Sequence, residues 1–176
     1  MVKVASKNGL TLVELLGAIV LLGITITLVS TVLIQIQTAS KSIYSVSNLN
    51  RQATLITREI ENTLRDMPVD HAQICTPDGK CLLVEKWYEY IINVSEDTID
   101  LVVSDPPISK TITFEQGEIR IDGVNILPGS ISLKEESVID IIRWTKQETI
   151  RFSITIVDES GTEYSFNIIH TYPITP

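Results

Sequence analysis

The chain has 176 residues, a formal net charge of −8 and a hydrophobic fraction of 44%. This length predicts one domain with an additional segment rather than two full domains. The acidic charge argues against nonspecific binding to nucleic acid, because that binding depends on Lys and Arg displacing the counterions of phosphates. We therefore expect no direct nucleic-acid binding.

The first predicted element is an apolar helix close to the N-terminus. Residues 10–34 would span about 37 Å as a helix, which exceeds the roughly 30 Å hydrocarbon core of a bilayer. A cleaved secretory signal is the alternative, since Thr-Ala-Ser at 38–40 could act as its cleavage site, but its apolar region would be shorter. Lys3 and Lys7 precede the run and favour an N-terminus left in the cytoplasm. We predict a membrane-spanning helix over residues 10–36.

Glu14 interrupts this apolar run and is the one ionisable residue between Lys7 and Lys41. A carboxylate inside a hydrocarbon segment is costly unless it is paired, neutralised or held near the interface. Two interpretations remain open at this point. Glu14 lies at the level of the lipid headgroups without a partner, or a cationic group pairs with it in the plane of the membrane.

The residues around Glu14 match a known signal. A short basic leader, the motif Gly9-Leu10-Thr11-Leu12-Val13-Glu14 and the apolar run follow one another in order. This arrangement resembles the class III signal of type IV pilins and type II secretion pseudopilins, with Leu10 standing where Phe is usual. The resemblance implies that a prepilin peptidase removes residues 1–9 by cutting between Gly9 and Leu10, and that it methylates the new amino group of Leu10.

The resemblance also implies a role for Glu14 in assembly. In filaments of this family, the carboxylate pairs with the N-terminal amine of a neighbouring subunit. Two charges that are each costly in an apolar medium offset one another when assembly brings them together. Because an unpaired buried charge is heavily penalised, such a pair can set the axial register of the subunits.

The resemblance implies a structural subunit rather than an enzyme, namely a minor pilin or pseudopilin of a type IV pilus, a competence pilus or a type II secretion apparatus. Thr31 stands where many major pilins carry a helix-loosening Pro, which favours a minor subunit. The implied partners are the prepilin peptidase, other pilin or pseudopilin subunits, the cytoplasmic membrane and a pilus assembly platform. The implied location is the inner membrane with the head outside, and afterwards the pilus at the cell surface.

A different class of protein also fits the same residues. The chain could be a single-pass, membrane-anchored binding or sensor module with a β-rich ectodomain. The match to the signal at Glu14 would then be accidental.

Residues 37–67 are predicted to continue the helix with an amphipathic pattern. Apolar residues recur there at steps of three and four, which places them on one helix face. These residues are Val46, Leu49, Ala53, Ile56, Ile60, Leu64 and Met67. Pro68 then ends the helix. A break in the Ser/Thr-rich stretch 38–47 would instead divide the segment into two helices.

Residues 68–176 are predicted to form a β-rich globular head. The apolar period changes to two, which indicates strands at 87–92, 98–103, 110–114, 118–121, 138–144, 149–157 and 162–170. Turn residues separate them, including Asp105-Pro106-Pro107. The last two strands alternate apolar residues and predict an antiparallel hairpin. An apolar helix face followed by meandering strands predicts an α+β fold, with an antiparallel sheet packed on the long helix.

Cys75 and Cys81 enclose a Pro-Asp-Gly turn signal that would bring the two thiols together. If the head is extracellular, we expect a disulfide, which closes a small loop worth about 2 kcal/mol in the chain-entropy model. Two free thiols and half of a metal site are the alternatives. Zinc would need more ligands, and His71 and His170 are the only histidines.

Two further features could carry chemistry. Residues 158–163 place oxygen ligands around a glycine, but they lack the spaced carboxylates of an EF-hand loop and are better explained as a polar hairpin turn. Trp87 and Trp144 are expected to be core or half-buried sheet residues rather than a ligand platform. The sequence contains no P-loop, dinucleotide fingerprint or supported catalytic triad. We expect no metal, no cofactor and no enzymatic activity.

Overall fold

The computed structural model describes residues 11–67, 69–93 and 98–173. The predicted leader 1–9 and the predicted cleavage and methylation position, Gly9–Leu10, lie outside these residues. The chain divides into two compact units, Met1–Tyr44 and Ser45–Pro176.

A single helix, α1, runs from Leu12 to Asp66. The alternative of two helices broken at 38–47 is therefore wrong. The sequence contains neither Gly nor Pro between residues 24 and 66, so no residue forces a break. The hydroxyl of Thr38 donates to the carbonyl of Ile34, one turn earlier, at 3.0 Å. The Ser/Thr-rich stretch thus satisfies its polar groups within the helix.

Within the described residues, nine antiparallel strands follow the helix and form two sheets, which confirms the predicted α+β fold. The first sheet has the order β1-β2-β3-β4-β5, and in the second β8 pairs with β6 and β7 along one side and with β9 along the other. The strands are β1 His71–Ile74, β2 Cys81–Asn93, β3 Thr98–Glu115, β4 Glu118–Ile121, β5 Val124–Asn125, β6 Ile131–Leu133, β7 Val138–Arg143, β8 Gln147–Asp158 and β9 Glu163–Pro173.

The apolar face of α1 in the second unit forms the core together with both sheets. Leu49, Ala53, Ile56, Ile60, Leu64 and Met67 are buried, as predicted. The prediction for Val46 is wrong, because this residue is 43% exposed. The preceding residue, Ser45, donates its hydroxyl to Asp158 at the end of β8. The helix therefore contacts a polar strand end, and not an apolar strand face, beside Val46.

The hairpin of β8 and β9 is confirmed. Its register places Ile154 opposite Phe166 and Phe152 opposite Ile168. The alternating apolar residues of β8, namely Ile150, Phe152, Ile154 and Ile156, are all buried. The ring centroid of Phe152 lies 6.4 Å from that of Phe114 in β3, so the two sheets meet through these aromatic side chains.

The predicted turn at Asp105-Pro106-Pro107 is wrong, because the two strands predicted on either side of it are one strand, β3. The pairing with β2 shifts from Lys86–Ile108 to Tyr88–Val103, so that four residues of β3 oppose one residue of β2. This is a bulge, and Pro is tolerated there because the ladder does not require its missing N–H. A strong turn signal here produced an irregularity inside a long strand.

Trp87 is a half-buried residue of β2, as predicted, whereas Trp144 is more exposed than predicted. Trp144 is 61% exposed in the turn after β7, and Trp87 is 40% exposed opposite the bulge. The indole N–H of Trp87 donates to Glu85 Oε2 at 3.1 Å. Neither residue belongs to the core, because each stands where the strand pairing stops or shifts.

Candidate functional site

Helix α1 exposes a long apolar surface within the first unit. Sixteen large apolar side chains between residues 12 and 36 are 51% to 82% exposed. An 18-residue window has a mean hydropathy of 2.5 and contains no buried residue, so the helix is long and apolar enough to cross a membrane. Full removal from water is worth about 1.5–3 kcal/mol for each such side chain. This surface is therefore suited to lipid or to other apolar helices.

Glu14 forms a capping box with Thr11 at the start of α1. One carboxylate oxygen, Oε2, accepts hydrogen bonds from the backbone N–H and the hydroxyl of Thr11, both at 2.9 Å. The backbone N–H of Glu14 donates in return to Thr11 Oγ1 at 3.3 Å. This role was not predicted, although Thr-Leu-Val-Glu is a Thr-x-x-Glu capping signal. Glu14 therefore has a partner within its own chain.

The second carboxylate oxygen of Glu14, Oε1, accepts no hydrogen bond from the described residues, and the side chain is exposed. The capping box holds Glu14 in one orientation through Oε2. An external cation could therefore bind Oε1 without breaking the cap. The cap is compatible with either interpretation of Glu14 that the sequence left open.

The hydroxyls of Thr25, Thr27 and Thr31 in the apolar segment are satisfied by carbonyls of the helix itself. Thr25 donates to the carbonyl of Leu21 at 2.8 Å, and Thr31 donates to the carbonyl of Thr27 at 2.8 Å. A hydrocarbon medium offers no water to polar groups, so this internal bonding suits a membrane-spanning helix. At Thr31, where many major pilins carry Pro, α1 continues without a break.

Cys75 and Cys81 form a disulfide. The loop that it closes is further held by a hydrogen bond from the N–H of Cys75 to the carbonyl of Cys81, at 2.9 Å. Gly79 lies in this loop with φ +69°, a conformation that favours glycine. Its carbonyl accepts a hydrogen bond from the N–H of Ile139 in β7, at 2.7 Å. The loop therefore connects the first sheet to the second.

Polar contacts reinforce the same connection. The Lys80 ammonium donates to the carbonyl of Glu135 at 2.8 Å. The hydroxyl of Thr76 lowers the pKa of Asp78, and the N–H of Lys80 acts in the same direction. The disulfide closes the loop at its base, and hydrogen bonds with Ile139 and Glu135 hold its other end against the second half of the head. This indicates a structural role for the disulfide within the head.

Residues 158–163 form the turn between β8 and β9. Asp158 Oδ1 accepts hydrogen bonds from the N–H groups of Ser160 and Thr162 at 2.9 and 3.0 Å. The hydroxyls of Ser160 and Ser45 lower the pKa of Asp158 to about 2. Both carboxylate oxygens thus bind the protein's own donors. The segment is therefore a polar turn, as predicted. The hydrogen bond from the Ser45 hydroxyl to Asp158 also connects this turn to α1.

A polar cluster around the buried Glu148 and Tyr172 lies at the opposite end of β8 and was not predicted. The Tyr172 hydroxyl donates to Glu148 Oε2 at 2.5 Å, and Arg143 Nε donates to Glu148 Oε1 at 2.9 Å. Burial raises the pKa of Tyr172 well above its usual range, and the hydrogen bond to Glu148 adds to this effect. Because both oxygens of Glu148 are bound, the cluster joins β7, β8 and β9 structurally. Only the fold reveals it, since Tyr172 is 24 residues from Glu148 in sequence.

The described part of the chain holds no group of three or more His, Cys, Asp or Glu side chains that could bind a metal. The two histidines lie in different sheets, His71 in β1 and His170 in β9. Burial lowers the pKa of His170. No protein-family model matches the chain, and neither a curated protein sequence nor a solved structure matches it significantly.

Proposed function

We propose that this chain is a pilin-like structural subunit, specifically a minor pilin or pseudopilin. It assembles through the first part of α1 into a type IV pilus, a competence pilus or a type II secretion apparatus. It is a substrate of a prepilin peptidase rather than an enzyme. Residues 1–9 are the leader, Leu10 is the methylated N-terminal residue of the mature chain, and the head lies outside the cytoplasmic membrane before assembly.

The observation that carries this proposal is the arrangement of Glu14 at the start of an apolar helix. Glu14 is fixed by Thr11 through one oxygen, and its other oxygen is available to a cation. The N-terminal amine of a neighbouring copy is such a cation, and the exposed apolar surface of α1 offers a medium in which the pair is strong. An anchor alone requires the apolar surface but not an ordered carboxylate.

Mass spectrometry of the N-terminus tests the proposal. In cells that contain a prepilin peptidase, we expect the chain to begin at N-methylated Leu10. Gly9→Leu should block cleavage and leave precursor in the membrane, because the family's peptidases require a small residue before the cut. Gly9→Ala is the matched control and should still be cleaved.

The alternative function predicts a different result in the same experiment. A membrane-anchored binding or sensor module would retain its leader in peptidase-competent cells. Normal processing of Gly9→Leu would also contradict the class III assignment. Either result would leave a single-pass anchored β-rich protein as the better description.

A further inference from the structure

Strand β9 forms a long edge of the second sheet. It pairs with β8 without interruption from Glu163 to Pro173, and no other described strand pairs with it. The N–H of Asp158 donates to the carbonyl of Thr162, which fixes the alternation of the antiparallel ladder. The backbone N–H and C=O groups of residues 163, 165, 167, 169 and 171 therefore point away from β8. They are available to another strand.

This edge lacks the features that normally prevent strand addition. Edge strands are commonly protected by Lys, Pro, a bulge or short length. Strand β9 contains no Lys, its Pro is at its last residue, and Glu163 is neutralised by Lys134 at 2.7 Å. Ile169, near the middle of the available edge, is 62% exposed. Among the other described edges, those of β1, β5, β6 and β7 are shorter, with four, two, three and six residues, and the free edges of β2 and β3 are interrupted where their pairing shifts between Lys86 and Tyr88.

A groove runs between β9 and α1 inside the second unit. The Tyr164 hydroxyl donates to Asn50 Oδ1 at 3.1 Å, which holds the strand beside the helix. The groove has a volume of about 340 Å³, and its helical side carries the short side chains of Thr54 and Thr57. A groove between an edge strand and a helix is a geometry in which extended peptides add to a sheet.

The charge around this edge differs from that of the whole chain. Arg58 lines the groove, and the exposed Arg151 lies directly opposite Ile169 in the ladder. Neither arginine forms an ion pair among the described residues. Glu61 is the single acidic residue among those that line the groove. Asp140 of β7 lies opposite Arg151 on the side away from β9, so a strand added beyond β9 approaches Arg151 from the side of the apolar Ile169, where an acidic residue is favoured over a basic one.

The chain itself contains an extended, acidic element that lacks a neighbouring strand. Strands β2 and β3 continue past β1 and β4 as a two-stranded arm, in which Tyr88–Asn93 pairs with Thr98–Val103. No third described strand joins the arm, and two-stranded ribbons are marginally stable in water. In sequence, residues 88–103 contain four acidic residues and no basic residue. The arm lacks a third strand, and β9 lacks a neighbour.

We propose that the arm of a second copy of this chain adds to β9 as an additional strand. The two surfaces differ, so the interface is heterologous, and each copy can receive one neighbour and join another. Backbone hydrogen bonds to residues 165–171 hold the added strand, and Arg58 and Arg151 select its acidic sequence. The inference rests on the proposed function only in that copies of the chain must meet in one membrane.

Hydrogen–deuterium exchange of the full-length chain in detergent micelles tests this interface. As protein concentration rises, the exchange rates of the amides of residues 165, 167, 169 and 171 should fall by about tenfold or more, because strand addition protects these amides. Exchange at β9 that does not depend on concentration would overturn the proposal. Protection that appears only when a different protein is added would also overturn it.

Two pairs of variants locate the effect. Asn167→Pro removes an outward N–H without breaking the ladder to β8 and should abolish the protection, whereas Asn167→Thr should retain it. Arg151→Gln should weaken the protection, and Arg151→Lys should leave it nearly unchanged; the neutral residue avoids a like-charge pair with Asp140, which lies opposite Arg151 in β7. The Arg151 pair keeps the proposal testable if the proline variant fails to fold. Equal protection in Arg151→Gln and Arg151→Lys would contradict the role of charge.

The N-terminal mass measured on the same sample separates this inference from the proposed function. A chain that begins at methylated Leu10 but shows no protection of β9 would refute the strand addition alone. A chain with an intact leader and a protected β9 would refute the pilin-like function alone.

Discussion

Three substitutions separate the two roles of Glu14, as a helix cap and as an assembly charge. Glu14→Val removes both roles. Glu14→Gln keeps the cap, because Gln can replace Glu in a capping box, but it removes the charge. Thr11→Ala removes most of the cap and keeps the charge, since it deletes the hydroxyl that donates to Glu14 at 2.9 Å.

The expected magnitudes differ enough to distinguish these roles. Loss of the Thr11 cap costs about 1 kcal/mol, which corresponds to roughly a fivefold loss of assembly if the frayed helix end cannot assemble. Loss of one partner of a buried ion pair lowers assembly by about a hundredfold or more. We therefore expect strong defects in Glu14→Gln and Glu14→Val, and a mild defect in Thr11→Ala.

The assay compares the amount of each variant in sheared surface filaments with the amount in the membrane fraction. Mass spectrometry on the membrane fraction checks that every variant is inserted and cleaved before Leu10, since family peptidases cut ahead of Glu14. If Glu14→Gln entered filaments as well as the wild-type chain while Thr11→Ala failed, the carboxylate would act only as a cap. The proposed register pair would then be wrong.

Three further predictions concern the head. Reduction of the Cys75–Cys81 disulfide should lower the free energy of unfolding by about 2 kcal/mol in a denaturant titration, and thiol labelling without reductant should find no free cysteine. Gly79→Ala should destabilise the head by about 1–2 kcal/mol, because alanine is strained at φ +69° and its Cβ would lie 3.0 Å from a β7 carbonyl oxygen; a thermal midpoint equal to wild type would contradict this. The depressed pKa of Asp158 stabilises the fold above pH 3.8, and this contribution is lost as the pH falls through about 2. In an acid unfolding titration, the Asp158→Asn variant should not lose this contribution to stability as the pH falls. The Ser45→Ala variant should lose a smaller contribution than the wild-type chain.

The organisation of the chain could be read from short-range patterns. The apolar run up to Ile34, the helix face from Leu49 to Met67 and the alternation around Phe152 each repeat a simple period over several residues. Such repetition predicts which face is buried, because the hydrophobic effect acts on every residue of the face in the same direction. The capping of Glu14 was equally local, and the signal for it was present in four consecutive residues.

The remaining features depended on contacts between distant residues. The bulge in β3 at Pro106 arises because pairing with β2 on both sides outweighs a local turn preference. The cluster of Tyr172 and Glu148 forms because adjacent strands bring a buried hydroxyl to a buried carboxylate.

Residue patterns were enough to predict the apolar helix, the amphipathic continuation, the β-rich head and the motif at Glu14. Which strands are edges, that β9 has no outer neighbour among the described strands and that it borders a groove along α1 followed only from the folded arrangement. This is because a strand's period indicates the direction of its side chains, whereas its hydrogen-bonding edges lie perpendicular to them. A residue pattern therefore predicts the buried face of a strand without identifying its neighbours.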